Sequence, residues 1–144
     1  MYVKFANAAK LSLLCLALLL LAATAALAES AKVKVMEKEG LGKYITDAKG
    51  MTLYAFDKDT PGKSACAGDC LQKWPAFSAD KIEPEGGLAA ADFGTIKRDD
   101  GAPQTTYKGY PLYYFFKDKA AGDTNGQGLM SVWRVIDPAK FPAK

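Results

Sequence analysis

The chain has 144 residues and no histidine. That absence excludes imidazole metal sites, Ser-His and Cys-His nucleophile pairs and a histidine proton shuttle. Cysteine is scarce, at Cys15, Cys66 and Cys70. After Ala28 aliphatic side chains are scarce too: Val, Ile and Leu together are no more numerous there than Phe, Tyr and Trp. A core built from that stock must be largely aromatic, because each ring buries a large area. No segment after Ala28 is apolar for long enough to cross a bilayer. A basic stripe is also missing. Removing Lys4 and Lys10 from the 19 basic residues leaves 17 against 16 acidic ones, dispersed among each other. Binding to nucleic acid through phosphates needs concentrated positive charge and is disfavoured.

The leader, 1–28, reads as a secretory signal peptide. Lys4 and Lys10 form a basic start, Leu11 to Leu21 is an Ala/Leu run, and Ala26-Leu27-Ala28 is a small-residue exit. Cleavage is expected after Ala28, which leaves no membrane span and places the protein in the periplasm or outside the cell. Cys15 lies inside the apolar run, preceded by Leu13-Leu14, so a lipid anchor there is disfavoured.

The remainder contains an internal duplication. At an offset of 59, Lys49-to-Phe77 aligns with Lys108-to-Ile136 without a gap. The identical pairs are Lys49/Lys108, Gly50/Gly109, Leu53/Leu112, Tyr54/Tyr113, Phe56/Phe115, Lys58/Lys117, Asp59/Asp118 and Trp74/Trp133. Each copy reads as β: a β-branched or aromatic run, a turn ending in Gly, then a second aromatic run. Along the strand Tyr54 and Phe56 point to one face, with Leu53 and Ala55 on the other. Tyr113 and Phe115 are likewise opposed to Leu112, Tyr114 and Phe116, and this second run is expected to be central because both its faces are apolar. Asp59 and Asp118 sit at strand exits, where a short carboxylate can accept backbone N–H groups and fix a chain reversal. The expected fold is all-β: one small domain over 29–144 with repeats at about 43–79 and 102–137, a linker at 78–92 and a fraying tail after Asp137. The repeated Tyr54, Phe56, Asp59, Trp74, Tyr113, Phe115, Asp118 and Trp133 are read as structural.

Chemistry-bearing constellations are few. Cys66 and Cys70 read as a disulfide in an exported chain, closing a small loop. A redox-active dithiol and a soft-metal site, the latter with help from Met36, Met51 or Met130, are the alternatives; Met51 and Met130 are simpler as core residues. Asp57, Asp59, Asp118, Asp123 and Asn125 could offer oxygen ligands to calcium, but Asp123-Thr124-Asn125-Gly126 lacks the later acidic ligand of a calcium loop and reads as a turn. Asp59 and Asp118 could be a carboxylate pair for glycoside hydrolysis. Equivalent residues in a duplication more often keep a fold, since such a reaction needs two different roles.

Tyr54-Ala55-Phe56-Asp57-Lys58-Asp59 and Tyr113-Tyr114-Phe115-Phe116-Lys117-Asp118, with Cys66-Ala67-Gly68-Asp69-Cys70 and Trp74-Pro75, resemble the bacterial secreted lipoprotein-repeat family, whose mark is a Yx(FWY)xxD motif. The resemblance runs from about Lys43 to Ile136. It implies an exported tandem-repeat protein with no established activity and no catalytic residues to carry over. The expectation is therefore a non-enzymatic module without cofactor or metal, binding an unknown protein or envelope component. The alternative is a periplasmic redox or soft-metal accessory using Cys66 and Cys70.

Overall fold

The computed structural model describes residues 29–142, so the leader, Cys15 and the expected cleavage site lie outside the described residues. The chain is all-β. Strands β1 (Ser30–Lys38), β2 (Gly42–Asp47) and β3 (Tyr54–Phe56) are followed by a one-turn helix α1 (Asp69–Lys73). Then come β4 (Lys81–Pro84), β5 (Phe93–Lys97), β6 (Pro103–Tyr107), β7 (Tyr110–Pro111) and β8 (Trp133–Val135).

Each repeat begins with an antiparallel hairpin. Val35 pairs with Ile45 in β1–β2, and Thr95 pairs with Thr105 in β5–β6, so the two hairpins share one register. The repeated unit thus reaches one strand further toward the N-terminus than the sequence identities indicate. The burial of the two first strands differs, with Val33 buried where its counterpart Phe93 is half-buried. The turn after β2 closes on Asp47, whose Oδ1 accepts N–H from Lys49 (2.9 Å) and Met51 (3.0 Å). A short carboxylate bonding its own downstream backbone is the expected turn chemistry.

The two units are interleaved. β3 of the first repeat pairs antiparallel with β8 of the second, Tyr54 opposite Val135. Tyr113 in turn bridges Ala76 of the first repeat. At the centre Tyr54 and Tyr113 face each other: the Tyr54 N–H donates to the Tyr113 carbonyl (2.8 Å) and the Tyr113 N–H to the Tyr54 carbonyl (3.1 Å). Farther out, Ile45 N donates to Ile136 O and Thr105 N to Phe77 O, so each opening hairpin is extended by the other repeat's closing segment. These reciprocal bonds define a pseudo-twofold relation. Tyr113 has a neighbour on both sides, as the doubly apolar character of its run implied.

Strand alternation sorts the side chains into two cores. Leu53, Ala55, Leu112, Phe77 and Ile136 join one cluster with Val33, Ile45 and Tyr107. Tyr54, Tyr113, Phe115, Trp74 and Trp133 form the other with Cys66, and Phe56 packs against it. Three sequence expectations are corrected here. The segment 78–92 is not merely a linker with one short helical turn at Leu88–Asp92: such a turn is present, as a 3-10 turn at Ala90–Asp92, but Lys81–Pro84 also forms β4, parallel to the start of β1. The segment after Asp137 does not fray throughout; Phe141 is buried and packs near the rings of Tyr107 and Tyr110. Met130 is not a core residue but is 82% exposed, in a left-handed backbone conformation.

Candidate functional site

The repeated motif residues meet across the pseudo-twofold rather than within a repeat. Tyr54 Oη donates to Asp118 Oδ2 (2.6 Å), and Tyr113 Oη donates to Asp59 Oδ2 (2.7 Å). Each carboxylate spends its other oxygen on the loop that follows it. Asp59 Oδ1 accepts from Ala65 N (2.6 Å), and Asp118 Oδ1 accepts from Asn125 N (3.0 Å). Both aspartates are 6% exposed. A buried carboxylate is stable only when its lone pairs are matched by donors, and the motif supplies one donor from each repeat. The tyrosine and aspartate of one motif copy therefore never satisfy each other; the motif is legible as a unit only when both copies are present.

The rings continue the pattern. Trp74 and Trp133 stack face to face with centroids 3.7 Å apart and planes 3° from parallel. Phe56 stacks on the outer side of Trp133 (4.2 Å), and Phe115 on Trp74 (4.3 Å). The result is a four-ring column, Phe56–Trp133–Trp74–Phe115, with Tyr54 edge-on to Trp74 (5.4 Å) and Tyr113 edge-on to Trp133 (5.2 Å). The edge-on Tyr–Trp pairs add to simple area burial.

Burial governs the titration of these groups. It pushes the Tyr54 hydroxyl far above the ordinary phenol range, with the Asp118 carboxylate adding to the effect. Burial likewise raises Tyr113 and Tyr114. Asp59 is pushed up by burial, opposed by the Ala65 N–H, the Tyr113 hydroxyl and the Arg98 charge. For the tyrosines the folded-state value lies above that of the unfolded chain, about 10. Their contribution to stability is intact below that pH and is lost as pH rises above it, because the unfolded chain releases phenolic protons first. Alkaline titration is expected to show tyrosinate absorbance from Tyr54, Tyr113 and Tyr114 appearing together with loss of the circular dichroism signal. Smooth ionisation of every tyrosine near pH 10, with the dichroism unchanged, is the result that contradicts this.

Two basic residues anchor the loops, and sequence reasoning missed both. The guanidinium of Arg98, at the end of β5 and 7% exposed, donates to Ser64 Oγ (2.8 Å), to Gln104 Oε1 and to the Cys66 carbonyl. Its counterpart at the end of β1, Lys38, donates to Thr124 Oγ1 (3.1 Å) and the Gly122 carbonyl (3.1 Å) on the matching loop of the other repeat. The available signal was weak: one of only two arginines in the chain, placed where a strand ends at the Asp99-Asp100-Gly101 turn.

Cys66 and Cys70 form the expected disulfide. Closing so short a loop stabilises by about 2 kcal/mol in the chain-entropy account. Cys66 is fully buried. The second repeat builds the equivalent loop without a disulfide. If Ala65 corresponds to Asn125, as their bonds to Asp59 and Asp118 indicate, Cys66 corresponds to Gly126. A Cβ at Gly126 would stand 2.7 Å from Trp74 and 2.9 Å from Tyr54, so the ring column leaves no room there for a side chain. Asp123 accepts the N–H groups of Lys119 (2.8 Å) and Ala120 (3.0 Å), which is turn chemistry. Among the described residues, no three His, Cys, Asp or Glu side chains are placed to hold a metal ion, and no helix is long and apolar enough to cross a membrane.

A concavity of about 560 Å³ lies on the first repeat, between the Asp47–Lys49 turn, the start of β1 and the segment after Phe77. Tyr114 reaches it and donates to Asp47 Oδ2 (2.9 Å).

A family model described as a secreted repeat of unknown function matches the chain twice, over residues 36–78 and 94–137. The chain belongs to this family of secreted lipoprotein repeats. The two matches follow the two interleaved units, and both start within the first strand of a unit, as the β1 and β5 pairing implies. The protein is thus an exported repeat protein, periplasmic or extracellular. No curated protein and no solved structure matches it.

Proposed function

We propose that this chain is a non-catalytic binding module of the cell envelope, in which the repeated motif builds the scaffold and ligand contact falls to the surface around it. The mature domain is taken to be 29–144, released after Ala28 without a lipid anchor. The carrying observation is the state of the two symmetric carboxylates. Asp59 and Asp118 are buried, each bonded by a tyrosine of the opposite repeat and a backbone N–H of its own loop. A glycosidase-type pair needs one carboxyl aimed at a leaving group and a second at water or the sugar, in different environments. Here the two environments are copies of each other and face inward.

The test is Asp59→Asn and, separately, Asp118→Asn. The amide offers an N–H where the carboxylate accepted one, so one bond is lost in each case and stability is expected to fall by about 1–3 kcal/mol. For Asp59 the loss is partly offset, because burial already disfavours its charge. Urea unfolding reads the stability. Below the midpoint, association of the purified variants with an envelope fraction is expected to equal wild type. Hydrolysis of chromogenic glycosides by the wild type that disappears in Asp59→Asn, with the urea midpoint unchanged, overturns the proposal.

A further inference from the structure

The two repeats build the stretch before their tryptophan differently. In the first, Asp69–Lys73 is the helix α1, tied to Cys66 by the disulfide, and Leu71 packs against the aromatic cluster that holds both tryptophans. The second repeat has no cysteine. Its matching segment, Leu129–Ser131, is an irregular turn in which Met130 and Ser131 take left-handed backbone angles (φ 53° and 58°). Met130, the counterpart of Leu71, stands in solvent. One chain thus holds the same segment in two forms, a cross-linked helix and an open turn.

Little besides the disulfide favours the helix. A single turn is too short to be stable by itself, because fixing it costs more than its few hydrogen bonds return. None of its residues is fully buried, and Gly68 before it offers no side-chain cap. Its far end is pinned where the Phe116 N–H donates to the Lys73 carbonyl (2.9 Å), but the Asp57 N–H donates to Val132 in the same way (2.8 Å) and no helix forms there. Cys66, in contrast, is fastened from several sides. Its N–H donates to Ser64 Oγ (3.2 Å), its carbonyl accepts from Arg98, and the Ala65 N–H is held by Asp59 (2.6 Å). The bond therefore joins a firmly held residue to a weakly held one. It is also open from one side, since Cys66 is fully buried and Cys70 half-buried.

We propose that Cys66–Cys70 is a thiol–disulfide exchange site whose substrate is a dithiol reductant, and that reduction turns α1 into the open turn of the second repeat and releases Leu71 from the aromatic cluster. Exchange requires a thiolate to reach one sulfur of the bond, and Cys70 Sγ is the one within reach. The reductant's thiolate bonds to Cys70 Sγ, the Cys66–Cys70 bond breaks, and Cys66 departs with the electron pair and takes up a proton. The reductant's second thiolate then attacks its own sulfur in the mixed disulfide. Cys70 leaves with the electron pair and is protonated, and the reductant ends as a disulfide. The two electrons and two protons gained by the protein are those the dithiol loses. Cys66 stays in place through Ser64 and Arg98, while residues 69–73 open. This exchange is independent of the binding-module reading.

The probe is dithiothreitol, added to the exported chain without denaturant and followed by iodoacetamide. Cys70 is expected to be alkylated first, and Cys66 only after unfolding. Amide hydrogen exchange read by NMR is expected to accelerate about tenfold at Cys70, Leu71 and Trp74 on reduction, as for a locally opened segment. The amides of Ala65, Tyr54 and Tyr113 should stay protected. Leu71→Ala is expected to lower the urea midpoint of the oxidised chain and to leave that of the reduced chain in place. A reduced chain that keeps α1 protected overturns the switch: the helix then follows from the path between Cys66 and Trp74, one residue longer than that between Gly126 and Trp133, and not from the bond. Equal labelling of both cysteines, a bond that dithiothreitol leaves intact until the chain unfolds, or loss of protection at Tyr54 and Tyr113 on reduction overturns it as well.

Discussion

Expressed apart, residues 29–86 and residues 87–142 are each expected to remain unfolded, and to fold when mixed. The cut falls between Gly86 and Gly87, after β4, and breaks no strand or helix of either unit. What it separates is the interleaving. The first half loses β8 as partner of β3, the Ile136 carbonyl that takes the Ile45 N–H, and the Asp118 acceptor for Tyr54. The second half loses Ala76 and Tyr54 from both sides of Tyr113, the Phe77 carbonyl for Thr105, and the Asp59 acceptor for Tyr113. Each half would expose a tryptophan whose only face-to-face indole partner sits on the other half. A domain this small has a total stability of only about 5–15 kcal/mol, and losing several hydrogen bonds together with a buried aromatic contact is of that order. Circular dichroism and size-exclusion chromatography of the separate and mixed halves measure it. A half that folds only as its own dimer agrees with the interlock, because a pseudo-twofold surface is self-complementary. A half that melts cooperatively as a monomer refutes it.

Trp133→Ala is expected to destabilise the intact chain by about 3–5 kcal/mol, the usual range for emptying a buried aromatic site. Trp133 is 3% exposed and held on three sides: Phe56 stacks on one face, Trp74 on the other, and Tyr113 meets it edge-on. The gap cannot collapse easily, because Trp74 is fixed from behind by Phe115 and from the side by Tyr54. Urea unfolding followed by the fluorescence of the remaining Trp74 gives the value. Trp74→Ala should cost a comparable amount, since the two sites are related by the pseudo-twofold. A loss below about 1 kcal/mol for either, typical of surface sites, would mean that the column is not a stability core.

Several features were legible in the residues alone. Two-residue alternation at Leu53-Tyr54-Ala55-Phe56 assigned the faces of that strand, because the side-chain period of extended backbone is fixed by covalent geometry. The repeated Gly50 and Gly109 marked turns, and both have positive φ. The duplication itself, the β class and the Cys66–Cys70 bond were also within reach, being properties of local pattern and short separation. The leader, read as a secretory signal, pointed to the compartment that the family description also gives.

Other features had no local signature. Met130 carries an apolar side chain and aligns with Leu71, yet it stands in solvent, because burial is decided by what packs above a residue and not by its type. Phe141 lies in a Pro- and Lys-rich tail that looks like a fraying end, and is buried only because Tyr107 and Tyr110 present a seat for it. β4 is short and was hidden by Pro84, Gly86 and Gly87; it exists because β1 has a free edge for it to join. Above all, residue order dictates that the chain holds two copies of one aromatic β-unit with a Tyr and an Asp in each. That each Tyr bonds the other copy's Asp emerges only from how the units are folded together. Partner choice between identical donors and acceptors is set by the path of the chain in space, and two equivalent motifs read identically whether they close on themselves or on each other.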